Sequence, residues 1–316
     1  MPTNNNFGIT QAGVIAFAGA GSPGWMSNIG IEAATTTNAN DSVRITSRDG
    51  SDFSATNPGW ITLPGTTSGT LSTFKITANV TMNLTGAHWG HGTTGDLTDA
   101  ILRVLAINDN TTLRWGVALL GGRHTLLTTD TNATATSVNL PEEVLCTAAV
   151  ASATNHCQEV GHFRGNFDDT GGAAEDLWAV QTGVGDIVVG RSADGLWQPW
   201  NPVYTGVTAQ VAPAVAVWTQ VGRQISVWHS GTTATSNAST FTGTSPSKVL
   251  YGDLFSAMNL YIDNSSVVRD AGSVSTTAGS ITMDFFTVGA TWATSNGKRA
   301  NFEKTYPVGP AASFIP

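Results

Sequence analysis

Few stretches of this chain bring reactive side chains together. HWGHGTTGD, residues 88–96, sets His88, His91 and Asp96 in one Gly-rich loop, and imidazoles beside a carboxylate are zinc ligands by type. The spacing matches no zinc signature and reads as a turn with solvated histidines. Cys146, His156, Cys157 and His162 form a second nitrogen-and-sulfur set, again with generic spacing. Cys146 and Cys157, the only cysteines, could close a short loop as a disulfide if the protein matures in an oxidising compartment; a pair of thiols is the equal alternative. NFDDTGGAAEDLW, residues 166–178, gathers Asp168, Asp169, Glu175 and Asp176 around two glycines, an oxygen-rich loop of the sort calcium takes. The required alternation of ligands at the first, third and fifth positions is missing, so this reads as a solvated acidic loop. Neither a metal nor a cofactor is expected.

Machinery for covalent catalysis is equally thin. The chain has no GxSxG elbow, no Walker loop, no GxGxxG after a strand and no HExxH. GAGSPG at 19–24 leads into WMSN and not into a helix with a phosphate-facing Lys. Glycoside hydrolysis needs two carboxylates flanking a cleft, yet Asp284 is the only acid in its strand-like run. The expectation is that the protein is not an enzyme. Aromatic residues are the better lead. DGLWQPWNPVY, residues 194–204, sets Trp197, Trp200 and Tyr204 in a Pro-containing loop, and flat rings at such sites stack on sugar faces or anchor protein interfaces. Core filling is the competing role for these three. Trp115, Trp218 and Trp228 lie inside strand-like runs and are assigned to packing.

The elements that must position these residues read almost wholly as strands. FKITANVTMNL (74–84) alternates strictly, with Phe74, Ile76, Ala78, Val80, Met82 and Leu84 on one face and polar residues on the other. AVAVWTQVGRQISVWHSG (214–231) reads as a hairpin with a Gly-containing turn. Further strands are predicted at 100–107, 112–120, 124–129, 186–192, 248–255, 258–263 and 280–290, punctuated by Gly, Asn, Asp and Ser where turns need them. One helix is predicted, over 141–153, with Pro141 at its first turn and Glu142 and Glu143 complementing the dipole.

Composition limits the partners. Charged residues are 11% of the chain, against a usual figure of about 25%, so solubility rests on Thr, Ser, Asn and Gly. A net charge of −8 opposes binding to a phosphate backbone, and nucleic acid is not an expected partner. No run reaches the roughly 18–20 apolar residues that span a bilayer, and the start lacks the basic segment of a secretory signal. A membrane partner is not expected.

Many short strands with almost no helix point to an all-β antiparallel β-sandwich of jelly-roll type. Residues 1–55 read as an extended N-terminal arm or edge strands, 56–300 as the sandwich with a loop-rich insertion at 141–202, and 301–316 as an extended C-terminal tail. The 214–231 hairpin, NLYIDNSSVVRDAG (259–272) and ITMDFFTVGA (281–290) together resemble the late part of a concanavalin A-like or laminin-G-like jelly roll, over residues 60–292 in order of elements. The acidic triad of the related glucanases is not found. The texture of the chain, poor in charge and rich in Thr, Ala, Asn and Gly, with its MPTNNNFG start and Pro-rich end, also resembles exposed structural proteins of tailed bacteriophages. That resemblance implies a virion protein made in the host cytoplasm and displayed on the particle as a capsid decoration or tail appendage. It implies a homo-oligomer, with a trimer as the first expectation, contacting other virion proteins. The alternative expectation is a module that binds host surface carbohydrate through Trp197, Trp200 and Tyr204.

Overall fold

The computed structural model describes residues 7–9, 15–17, 25–34, 42–65, 70–84, 87, 89, 97–120, 128–131, 143–148, 150, 156–169, 176–190, 192–207, 215–222, 224–231, 234–235, 238–247, 254–263, 266–269, 272–276, 282–287, 292–294 and 297–307. The first strands are β1 (Phe7–Ile9), β2 (Ile15–Phe17), β3 (Trp25–Ser27), β4 (Gly30–Ala34), β5 (Ser42–Thr46), β6 (Gly59–Pro64), β7 (Leu71–Ile76) and β8 (Val80–Asn83). Next come β9 (Leu97–Asp109), β10 (Thr112–Ala118), β11 (Thr128–Thr131), β12 (Glu143–Cys146), β13 (His156–Asp169), β14 (Asp176–Val180) and β15 (Ile187–Val189). They are followed by β16 (Gln198–Pro199), β17 (Tyr204–Thr205), β18 (Val215–Val221), β19 (Gln224–Ser230), β20 (Ala234–Thr235) and β21 (Thr242–Thr244). The series closes with β22 (Leu254–Asp263), β23 (Ser266–Arg269), β24 (Ser273–Thr276), β25 (Thr282–Phe286) and β26 (Gly297–Pro307).

The protein is all-β, and its antiparallel sheets include two strongly curled half-barrels. One seven-stranded sheet runs β11-β12-β10-β9-β13-β14, with β15 also on β13. An eleven-stranded sheet runs β16-β18-β19-β26-β22-β24-β25-β21-β17, with β20 on β26 and β23 on β22. Two three-stranded sheets, β3-β6-β7 and β4-β5-β8, and the hairpin β1-β2 complete the set. Only β11 and β12 pair parallel among the described strands.

Period-two burial explains these choices. On β26 the inward positions Lys298, Ala300, Phe302, Lys304 and Tyr306 alternate with wetter residues, and β6 repeats the pattern with Gly59, Ile61 and Leu63 inward. One apolar cluster reaches from Ile29 through Val104 and Trp218 to Tyr306, so the sheets share a core. Polar clasps join the two large sheets: the Gln198 Oε1 accepts from the Ile101 amide at 3.0 Å, and Arg103 reaches Asp194 at 2.9 Å.

Several expectations need correction. No helix forms at the described part of 141–153; Glu143–Cys146 is a strand, with Val144, Leu145 and Cys146 all buried between β10 and β11. Burial on both faces outweighs the dipole complement that Glu142 and Glu143 suggested. The span 141–202 is no excursion, because β13 is an inner strand of the seven-stranded sheet, paired to β9 along most of its length. The boundary at 55 cuts through paired strands, since β3 pairs β6 and β5 pairs β8. The boundary at 300 likewise fails: β26 continues to Pro307 between β19 and β22, so 301–307 belong to the core and not to a tail. Finally, the single run 74–84 is two strands in two sheets. Between them Asn79 accepts the Phe53 amide at 2.9 Å and donates to Asp52 at 2.7 Å, fastening the chain where it crosses over.

Candidate functional site

The 214–231 hairpin forms as read, with β18 and β19 in continuous antiparallel register. Residues 195–200 extend the sheet beyond it. Gly195 and Trp200 donate to the carbonyls of Gln220 and Ala216, and Gln198 and Pro199 pair with Trp218 and Val217. Alternation along this edge sends Gln198 and Trp200 inward and Trp197 and Pro199 outward. The structure therefore separates the three aromatics predicted to act together. Trp197 is 47% exposed and Trp200 only 4%.

Trp200 and Tyr204 belong to an interior aromatic group built around His229. The imidazole lies 5.8 Å from the Trp200 ring and stacks on Phe302 at 4.9 Å. Tyr204 is hydrogen-bonded through its hydroxyl to His229 Nε2, and Nδ1 meets the Ala300 carbonyl at 2.8 Å. Burial lowers the His229 pKa from 6.5 to about 4, so the ring is neutral at physiological pH, and burial pushes the Tyr204 phenol upward. A neutral imidazole held by two partners and walled by rings is a packing unit. Trp200 and Tyr204 thus take the core role that competed with sugar binding.

Sequence reasoning missed the residue that shares Trp197's face. Trp228, assigned to packing, is 55% exposed. Its neighbours Val227 and His229 point inward, so alternation along the hairpin was itself the signal that could have found it. The register orders this face in rows. One runs Pro199, Val217, Trp228, Glu303; the next has Thr219, Ser226 and Thr305, with Trp197 beside Thr219. Ser226 and Thr305 share a hydrogen bond of 2.8 Å. Thr219 is 8% exposed, and its hydroxyl has no hydrogen-bond partner among the described residues. From strand spacing, the Cα atoms of Trp197 and Trp228 lie on the order of 12 Å apart.

Among the described residues the other candidates do not assemble a reactive centre. Cys146 and Cys157 are buried thiols and are not bridged. They lie on β12 and β13, with β10 and β9 between, and three strand spacings of about 4.8 Å exceed the roughly 7 Å limit between bridged Cα atoms. Burial raises the Cys157 thiol to about 11, so it is unreactive near neutrality. Asp168, Asp169 and Asp176 fall on the β13–β14 hairpin, where Asp169 faces Asp176 in register, while Glu175 lies outside the described residues. His88, His91 and Asp96 lie outside them as well. His162 is buried, its Nδ1 3.8 Å from Glu159 Oε1. Among the described residues no three His, Cys, Asp or Glu side chains are grouped to hold a metal.

The strongest ionic cluster is interior. Arg103 Nη1 meets Glu159 at 2.6 Å and Asp194 at 2.9 Å, while Glu159 also accepts from the Ala193 amide at 2.7 Å. Asp194 in turn accepts the Gly222 amide at 3.0 Å, tying β9 and β13 to the β18–β19 turn. Comparison with family models, with curated proteins and with solved structures found no match.

Proposed function

We propose that this chain is a non-enzymatic structural protein exposed on a phage particle, as a capsid decoration or tail appendage, joined to copies of itself and to neighbouring virion proteins. In this reading its curled sheets are those of a jelly-roll sandwich. The observation that supports it is the way the wet faces are stitched. Cross-strand hydroxyl pairs join Thr62 to Thr73 at 2.9 Å, Thr205 to Thr242 at 2.5 Å and Ser226 to Thr305 at 2.8 Å. Such neutral pairs hold across wide ranges of salt and pH, unlike surface ion pairs, which salt screens. A protein that must persist after release into dilute surroundings benefits from that insensitivity. Immunogold electron microscopy of the particle tests the reading, together with sedimentation equilibrium of the purified chain: label on the virion surface and a stable oligomer are expected, and unlabelled particles with a monomer in solution would exclude it. A second reading, recognition of host surface carbohydrate, is favoured by one observation, the two exposed indoles on a single sheet face.

A further inference from the structure

The outward face of β16, β18, β19 and β26 carries a defined order of side chains. Trp197 and Trp228 stand diagonally across it, so two flat apolar rings are offered to one ligand. Beside them runs the hydroxyl row Thr219, Ser226, Thr305, with Ser230 and Asn301 on the far side of the Trp228 row. The face thus sets an apolar row of Pro199, Val217 and Trp228 directly beside a row of hydroxyls. It matches the sugar ring, which carries C–H faces for stacking and an equatorial belt of hydroxyls for hydrogen bonding.

Thr219 supplies an independent sign. It points outward on β18, yet its hydroxyl is shielded from solvent without a hydrogen-bond partner among the described residues. A buried hydroxyl left unpaired is costly. A ligand hydroxyl reaching Thr219 beside Trp197 would satisfy it.

Charge decides the class of glycan. The carboxylate of Glu303 stands opposite Trp228 across the β19–β26 ladder, exposed to solvent. The guanidinium of Arg299, the nearby positive group on β26, is already engaged by Asn301 at 3.0 Å and Ser230 at 3.3 Å. Those neutral partners leave the Arg299 charge in place to offset Glu303, so the described residues of this face carry no positive excess, and the chain's net charge of −8 adds nothing to attract acidic polysaccharides or nucleic acid. We infer that Trp197 and Trp228, with the hydroxyls of Thr219, Ser226 and Thr305, form a platform for a neutral polysaccharide, a few consecutive sugar rings lying across the strands. This rests on the carbohydrate reading and moves its site from the 194–204 loop to the sheet face.

Affinity electrophoresis in native gels tests it, with mannan, galactan or a β-glucan cast as neutral probes and alginate as the acidic one. The protein is expected to be retarded in at least one neutral gel and not in alginate. Trp228→Ala and Trp197→Ala should each weaken retardation at least fivefold with unchanged melting temperature, while Trp228→Tyr keeps a measurable part. Retardation in no gel, retardation only in alginate, or equal retardation of wild type and both alanine variants would overturn the inference. So would conversion of an oligomer to a monomer by either alanine variant without any sugar effect, which would make the face a contact between copies. Particles that carry the chain but show no sugar retention would remove this site and leave the structural role standing.

Discussion

Two lysines on one strand show how far side-chain surroundings, and not residue type, set the outcome. Lys298 is buried with its ammonium on the carbonyls of Gly206, Ala238 and Thr240, and 5.9 Å from the Trp292 ring centre. Lys304, also buried, donates to Ser256 and Val274 at 3.3 Å each, and burial lowers its pKa to about 8. Replacing Lys298 by Met should cost about 2–4 kcal/mol, because three carbonyls lose their donor, whereas Lys304→Met, which gives up two long hydrogen bonds and an ammonium already weakened by burial, should cost less, about 0.5–1.5 kcal/mol. Urea denaturation of both variants at pH 7 checks the contrast. His229 carries a pH dependence of definite sign. Its folded pKa of about 4 lies below the 6.5 of the unfolded chain, so between those values the unfolded state binds the extra proton. The stability it contributes is whole above pH 6.5 and is lost as pH falls toward 4, by about 3 kcal/mol in all. His229→Gln should flatten that slope in melting curves recorded from pH 4 to 7, at the cost of lower stability at neutrality.

At the scale of strands, close approach is the controlling fact. A methyl added at Gly161 would strike the Val188 carbonyl and come within 2.8 Å of Ile31 Cδ1. Gly161 sits at an irregularity of the β13–β9 ladder and faces Val189 of β15, so there is no slack to absorb it. Gly161→Ala should destabilise by about 2–3 kcal/mol and lower the melting temperature by several degrees. Strand content was legible where period two survives in the letters, as in the 214–231 hairpin and the run around 282–286, while 100–107 was legible as a short unbroken apolar run, buried on both faces. Where strands lie buried on both faces, as at Val144 to Cys146, periodicity vanishes and the acidic, Pro-led approach imitates a helix start. The switch at Asn79 was illegible for the opposite reason, since alternation passes through the crossover unbroken. The sheet face that carries Trp228 was readable in principle, but its partner strand β16 was not, because a two-residue strand among prolines has no pattern.

For the whole molecule, what matters is how the sheets are held to one another. Arg103 lies between Glu159 on β13 and Asp194 beside the β18–β19 turn. Arg103→Met should cost about 3–5 kcal/mol, since it strands carboxylates in the interior, and the loss should change little between low and high salt in chemical denaturation. Ending the chain after Asn301 should abolish cooperative melting followed by far-ultraviolet circular dichroism, because β26 is the shared partner of β19 and β22. That placement also has a consequence for biosynthesis. On the ribosome, β19 and β22 emerge well before Gly297–Pro307, and each must keep a pairing edge open until the intervening strand leaves the exit tunnel. A neighbouring nascent chain on the same message could fill that gap, so translation at high density would favour exchanged strands between copies.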